Sequence, residues 1–340
     1  MSDDLILDVN DLAVAFPTED GTVNAVRGIS YSLREREVLA IVGESGSGKS
    51  VGAMALMGLL PKTARITGSI KYRDEEVLEM TPKRSRSLRG QNIAMIFQDP
   101  MTAMNPVYTV GDQLAEAYRS HHRVARKVAL AKAEEMLDRV GIPQAKDRVR
   151  AYPHEFSGGM RQRAMIAMAI INNPDIIIAD EPTTALDVTV QAQILETLIE
   201  VKDSVNAAVI LITHDLGVVA GMAHRVLVMY AGKAVERAEV NDIYTRPRMP
   251  YTAGLLGSIP ALDSAGGRLH PITGAPPSLI NLPPGCPFSP RCPLASAVCQ
   301  SEEPQLAPTD LPHHEAACHH WEELAEVADP TLLFRQVTTP

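Results

Sequence analysis

Apolar residues along this chain come in short runs bounded by turn formers rather than in long stretches. Val38–Val42 (VLAIV) is a run suited to a fully buried parallel strand, and residues 176–179 (IIIA) and 207–213 (AAVILIT) repeat the type. Near the start, Leu12, Val14 and Phe16 alternate with neighbours of the other face, the pattern of a half-buried strand. Further along, the period lengthens. Leu130, Ala133, Leu137 and Val140 share one helical face, as do Met165, Ile166, Ala169 and Ile170. Strands interleaved with helices predict an α/β fold. Beyond Val240 the periodicity fades into Pro- and Gly-rich sequence such as GAPPSLINLPPGCPFSPRCP. That tract is too interrupted for a sheet or a long helix, so something besides a large core is expected to hold it.

At 340 residues the length suggests one large domain plus an appendage. Apolar residues are 45% but aromatics only 4%, which predicts an aliphatic, Met-rich core. A net charge of −9 argues against an extended nucleic-acid surface. The opening MSDDLILDVND is acidic and lacks the form of a signal peptide. No apolar run approaches the ~20 residues that cross a bilayer. The expectation is a cytosolic protein, where four clustered cysteines point to metal binding more than to disulfides.

Three stretches carry chemistry. Gly43, Glu44, Ser45, Gly46, Ser47, Gly48, Lys49 and Ser50 complete the pattern G-x-x-x-x-G-K-[ST] between a strand and a helix, with Val51 following. Such a loop turns backbone N–H groups onto phosphate oxygens, Lys49 reaches the β- and γ-phosphates, and the Ser50 hydroxyl completes Mg²⁺ coordination. The fold class is therefore a P-loop NTPase. Asp180 ends the run at 176–179, placed to hold Mg²⁺ through its water shell, and Glu181 is placed to polarise the water attacking the γ-phosphate. Ser157, Gly158 and Gly159 open the helix carrying Met165 and Ile166, a second anion-binding helix start in one chain.

With these motifs in this order, the chain resembles the ATP-binding subunits of ABC transporters over roughly its first 245 residues. Gly43 to Ser50 match the Walker A loop and Gln98 the Q-loop glutamine, a further Mg²⁺ ligand. Phe156 to Met160 (FSGGM) match the signature, residues 176–181 Walker B with its catalytic glutamate, Ala185-Leu186-Asp187 the D-loop, and His214 the switch histidine that contacts the γ-phosphate. The resemblance implies a helical subdomain at about residues 99–172 and a head-to-tail ATPase dimer, so that Ser157, Gly158, Gly159 and Met160 act on a partner's ATP. Met160 replaces the usual Gln, and Ala103 stands where a serine is common. Phe16 either stacks on adenine or simply fills its strand. The arm from Gln98 to Ser157 is the expected coupling element to membrane subunits; its Arg119, Arg123, Arg126, Lys127 and Lys132 read as a solvated face.

Cys286, Cys292, Cys299 and Cys318 are spaced C-x5-C-x6-C-x18-C, unlike a paired zinc knuckle. Four thiolates suit zinc or an iron–sulfur cluster, and His313, His314, His319 and His320 are alternative zinc ligands. RPRMPYTAGLL, the CPF-x-PRCP segment and the final HHEAAC resemble the C-terminal extension of oligopeptide and dipeptide importer ATPases. That resemblance implies a [4Fe–4S] cluster in preference to zinc. It divides the chain into an ATPase domain at 1–245, a cysteine-rich extension at 246–325 and a tail at 326–340. The implied activity is ATP hydrolysis at the cytoplasmic face of the membrane, powering uptake of di- or oligopeptides. The implied partners are two transmembrane permease subunits, a second and different ATPase subunit, and an extracytoplasmic binding protein, with no nucleic acid. Nickel chelates, glutathione or sugars stay open as cargo. A soluble ABC ATPase of DNA repair or translation and a metal-sensing regulator are the alternatives of other classes.

Overall fold

The structure, a computed structural model, describes residues 4–183, 187–259 and 271–334. The chain divides into two compact units: residues 4–6, 33–38 and 75–212 form one, and residues 7–32, 39–74 and those from 213 onward form the other.

In the first unit, strands Ile93–Ile96, Ile176–Asp180 and Ala208–Thr213 run parallel, with Ile178 beside both Met95 and Ile210. Ile176–Asp180 is buried throughout, which is why its sequence is uniformly aliphatic rather than alternating. The helices Val110–Arg119, Arg126–Arg139, Gly158–Ile170 and Val188–Val205 accompany this sheet. Arg126–Arg139 buries Ala129, Ala133, Met136 and Leu137, with Val140 just past its end. The stripe thus runs through Ala129 and Met136, and Leu130 sits at its margin, because small Ala side chains let neighbouring helices approach closely. Gly158–Ile170 is buried almost all round, Gln162 included. On the arm, Arg126 pairs with Asp112 at 2.5 Å and Lys132 with Glu135 at 2.7 Å, while Arg119, Arg123 and Lys127 are exposed.

In the second unit, Gly21–Arg34, Leu5–Thr18 and Arg65–Tyr72 form an antiparallel sheet in that order. A second sheet sets Val38–Val42 parallel to Arg225–Tyr230, with Lys233–Glu239 antiparallel to the latter. The hairpin joining those two turns at Ala231 and Gly232, both at positive φ, as the twist of a two-residue hairpin demands. Past the Pro-rich tract the chain adds short strands to a sheet: Glu315–Ala316 pairs with Lys233–Glu239, and Ala307–Pro308 pairs with Glu315–Ala316 in turn. Two-residue strands suffice there because an existing edge supplies the template. The extension also has a small core. Tyr251 and Phe288 are almost wholly buried, their rings 5.3 Å apart and packed with Tyr230 and Phe334. Among the described residues no helix is long and apolar enough to cross a membrane.

Candidate functional site

The phosphate loop follows directly from Val38–Val42, and its helix, Lys49–Leu56, begins at Gly48. Gly48 has φ +99°, and a Cβ there would meet the Ala25 carbonyl oxygen at 2.2 Å; at Gly43 it would meet that of Met229 at the same distance. Only glycine admits both the turn and the close packing behind it. Ser45 and Gly46 form an exposed tip, whereas Ser47 and Gly48 are buried. Lys49 is 5% exposed, and its ammonium donates to the carbonyls of Gly43 at 2.7 Å and Glu44 at 3.0 Å. The loop is thus wrapped around its own lysine. Ser50 and Val51, in the first turn of the helix, are half-buried. Phe16, near the end of Leu5–Thr18, is half-buried as well.

In the first unit, Asp180 is buried at the end of its strand. Glu181 then breaks from the sheet at φ +46°, an unusual conformation for a residue with a side chain, while its N–H still donates to the Ile212 carbonyl at 2.8 Å. This break turns the Glu181 carboxylate to Gln98, whose amide donates to Oε2 at 3.0 Å. Residues 83 positions apart, matched separately to two motifs, therefore meet. Ser157 caps Gly158–Ile170 by accepting from the Met160 N–H, leaving Gly158 and Gly159 at the helix start. Gly159 is there because a Cβ would lie 2.9 Å from Val190 on the facing helix. Asp187 caps that facing helix through the Val190 N–H at 3.0 Å. Ala185 and Leu186 lie outside the described residues. In the second unit His214 is exposed, just before the short helix Leu216–Val219 that Asp215 caps.

The four cysteines are all free thiols. The peptide N–H of Cys286 donates to the Cys299 carbonyl at 2.8 Å, which ties the two ends of the tract. Burial raises the thiol of Cys286 and pushes those of Cys292 and Cys318 up to about 12. Charges on neighbouring cysteines raise them further. The backbone N–H of His320 donates to the Cys318 sulfur at 3.3 Å. Such a donor suits a sulfur that carries negative charge. Three of the neighbouring histidines have other contacts: His314 on Glu236, His319 on the Glu302 carbonyl, and His320 on Ser296 and Glu323. Among the described residues no three His, Cys, Asp or Glu side chains are arranged to hold a single metal ion.

Comparison with known proteins gives these geometries a family. The model described as ABC transporter matches residues 26–184. The model for the oligopeptide/dipeptide transporter C-terminal region matches residues 235–299. The dipeptide transport ATP-binding protein DppD of Bacillus subtilis is 54% identical over 301 residues, covering 88% of this chain and 90% of that one. The chain belongs to the ABC transporter ATP-binding subunits of the oligopeptide/dipeptide family. The oligopeptide transport ATP-binding protein OppD of Mycobacterium bovis is 58% identical over 315 residues, 92% of this chain. This ABC subunit spans only 51% of that longer relative. Its fold is that of a dimeric ATP-binding cassette solved with ADP and Pi, at a TM-score of 0.62 and 23% identity, over 69% of this chain and 99% of that one.

Within this ABC subunit, sequence reasoning missed the residues behind the phosphate loop. Arg291 forms a two-pronged ion pair with Glu44 at 2.6 and 2.8 Å, and the Tyr251 hydroxyl accepts from the Glu44 N–H at 2.7 Å. The only signal for Arg291 was its place in the CPF-x-PRCP segment; nothing in the spacing named its partner.

Proposed function

We propose that this chain is the ATP-hydrolysing subunit of a peptide importer, acting at the cytoplasmic face of the membrane. The observation that carries the reading is one chain holding both a complete phosphate loop and the C-terminal region matched by peptide transporters. ATP binds with its phosphates on the amides of Gly43 to Ser50 and the ammonium of Lys49, which exchanges its loop carbonyls for phosphate oxygens. Ser50, Gln98 and Asp180 would hold Mg²⁺, which supplies charge neutralisation on the β- and γ-phosphates. Glu181 accepts a hydrogen bond from the attacking water; the water oxygen bonds to the γ-phosphorus as the bond to the ADP oxygen breaks. The Gln98 amide on Glu181 Oε2 must shift or share that oxygen when water is activated, which links the arm after Gln98 to the chemistry. His214 contacts the γ-phosphate, Phe16 the adenine, and Asp187 the dimer junction.

Ser157, Gly158, Gly159 and Met160 complete the ATP site of a second, different ATPase subunit, and the dimer drives two permease subunits fed by an extracytoplasmic binding protein. Four free thiols, Cys286 and Cys299 buried and Cys292 and Cys318 half-buried, with an N–H donor on the Cys318 sulfur, would suit a [4Fe–4S] cluster held by Cys286, Cys292, Cys299 and Cys318. Such a cluster would supply a covalent staple for the extension. The testing experiment is uptake of a labelled dipeptide by cells carrying the whole transporter with Glu181→Gln in this chain and its equivalent in the partner. Loss of uptake with assembly intact supports the reading; wild-type uptake refutes it. Iron and acid-labile sulfide near four each per chain, on protein purified without oxygen, test the cluster.

A further inference from the structure

We propose that the C-terminal extension is a working part of the nucleotide site: Arg291, with Tyr251, positions the phosphate loop through Glu44. The inference rests on the reading of this loop as an ATP site and goes beyond it, since the extension then serves nucleotide binding and not only its own cohesion.

Arginine carries five N–H donors in a rigid fork, and Arg291 uses the fork fully. Nη1 donates to Glu44 Oε2 at 2.6 Å and to the Tyr230 hydroxyl at 3.3 Å. Nη2 donates to Glu44 Oε1 at 2.8 Å and to the Ile272 carbonyl at 3.4 Å, and Nε to the Thr273 carbonyl at 3.1 Å. The guanidinium also sits over the rings of Tyr230 and Phe288, 5.9 and 5.8 Å from their centroids. Its side chain is only 5% exposed. Glu44 is the first variable residue of the phosphate loop, and three groups engage it from behind. Its carboxylate meets Arg291, its N–H meets Tyr251, and its carbonyl meets Lys49. Two of the three come from beyond residue 245.

The front of the same loop is open: a Cβ at Gly46 would meet nothing within 4 Å. A loop free at the tip and anchored at the back keeps its amides aimed outward, which is what phosphate recognition requires. Arg291 itself closes the short turn Ser289–Arg291, between Cys286 and Cys292. Whatever holds those two cysteines holds the turn from which Arg291 reaches 247 residues back along the chain.

The test is equilibrium binding of a fluorescent ATP analogue to the purified full chain, with thermal midpoints taken without nucleotide. Arg291→Ala is expected to weaken binding on the order of tenfold, the scale of a lost charge-assisted pair. Arg291→Lys, a point charge without the fork, recovers only part of it. Glu44→Gln, which leaves the extension untouched, weakens binding in the same direction, and the double variant binds no worse than the weaker single one. Wild-type affinity in either Arg291→Ala or Glu44→Gln overturns the proposal. So does a double variant restored to wild-type affinity, which would make Arg291 a charge screen rather than a positioning residue. A wild-type chain that binds no nucleotide would instead overturn the ATP site itself.

Discussion

Glu236 and His314 have side chains withdrawn completely from solvent and joined by one contact, His314 Nε2 to Glu236 Oε1 at 2.7 Å. The same carboxylate oxygen receives the N–H of Arg248, while Glu236 Oε2 and His314 Nδ1 have no hydrogen-bond partner among the described residues. A buried pair with unmet groups is sensitive to loss of either member. His314→Ala should lower stability by about 2 kcal/mol, read from denaturant midpoints, with metal content unchanged because His314 faces Glu236. Glu181 is expected to behave differently, since the proposed reaction places the attacking water on its carboxylate. Glu181→Gln should cut ATP turnover at least about a hundredfold while nucleotide still binds, measured by steady-state hydrolysis beside equilibrium binding. The identity of Glu181 was legible from its place after the aliphatic run. Its left-handed backbone and its bond to Gln98 were not, because both depend on strands adjacent in space only.

Two elements derive their roles from how they begin. Lys49–Leu56 starts at Gly48, where φ is +99° and space for a side chain is absent. Gly48→Ala must displace the loop, so nucleotide binding should fall below detection in a binding titration while the far-ultraviolet circular dichroism of the chain is retained. Gly158–Ile170 starts at the Ser157 cap. Ser157→Ala should cost about 1 kcal/mol of stability, a small shift in midpoint, yet reduce turnover of the assembled dimer much more. Equal small losses in both would reduce Ser157 to a cap. The apolar period announced Gly158–Ile170 and Arg126–Arg139, and the phosphate-loop motif announced Lys49–Leu56. Of the residues spacing placed on one face of the arm, Ala133, Leu137 and Val140 are buried and Leu130 is half-buried, with Ala129 and Met136 completing the stripe.

At the scale of the whole chain, the extension is fastened by ion pairs as well as by its aromatic core. Glu303 bonds to Arg27 at 2.9 Å and to Lys233 at 2.8 Å. Burial works to raise the Glu303 carboxyl, and the hydrogen bonds and charges of Arg27 and Lys233 outweigh it, holding the group below its ordinary 4.5. A carboxyl depressed in the folded state contributes stability above its unfolded value and loses it as pH falls through the folded one. Glu303→Gln should therefore lower the thermal midpoint near pH 7, and the gap from wild type should close as pH drops below 4.5. Midpoints measured across that range decide it.

The order of motifs along the chain, the phosphate loop, the aliphatic strands and the four cysteines are local patterns, each written within a few adjacent residues. Local backbone requirements such as glycine at a tight turn act over that same range, which is why the sequence by itself determined the family and named the candidate nucleotide and metal ligands. Contacts between distant residues have no such local mark. The aromatic core under the extension, its strand pairing with Lys233–Glu239 and the grip of Arg291 on Glu44 were decided only by the tertiary structure. Each joins groups whose affinity for one another depends on shared burial and aligned donors, conditions that exist only after the chain has folded.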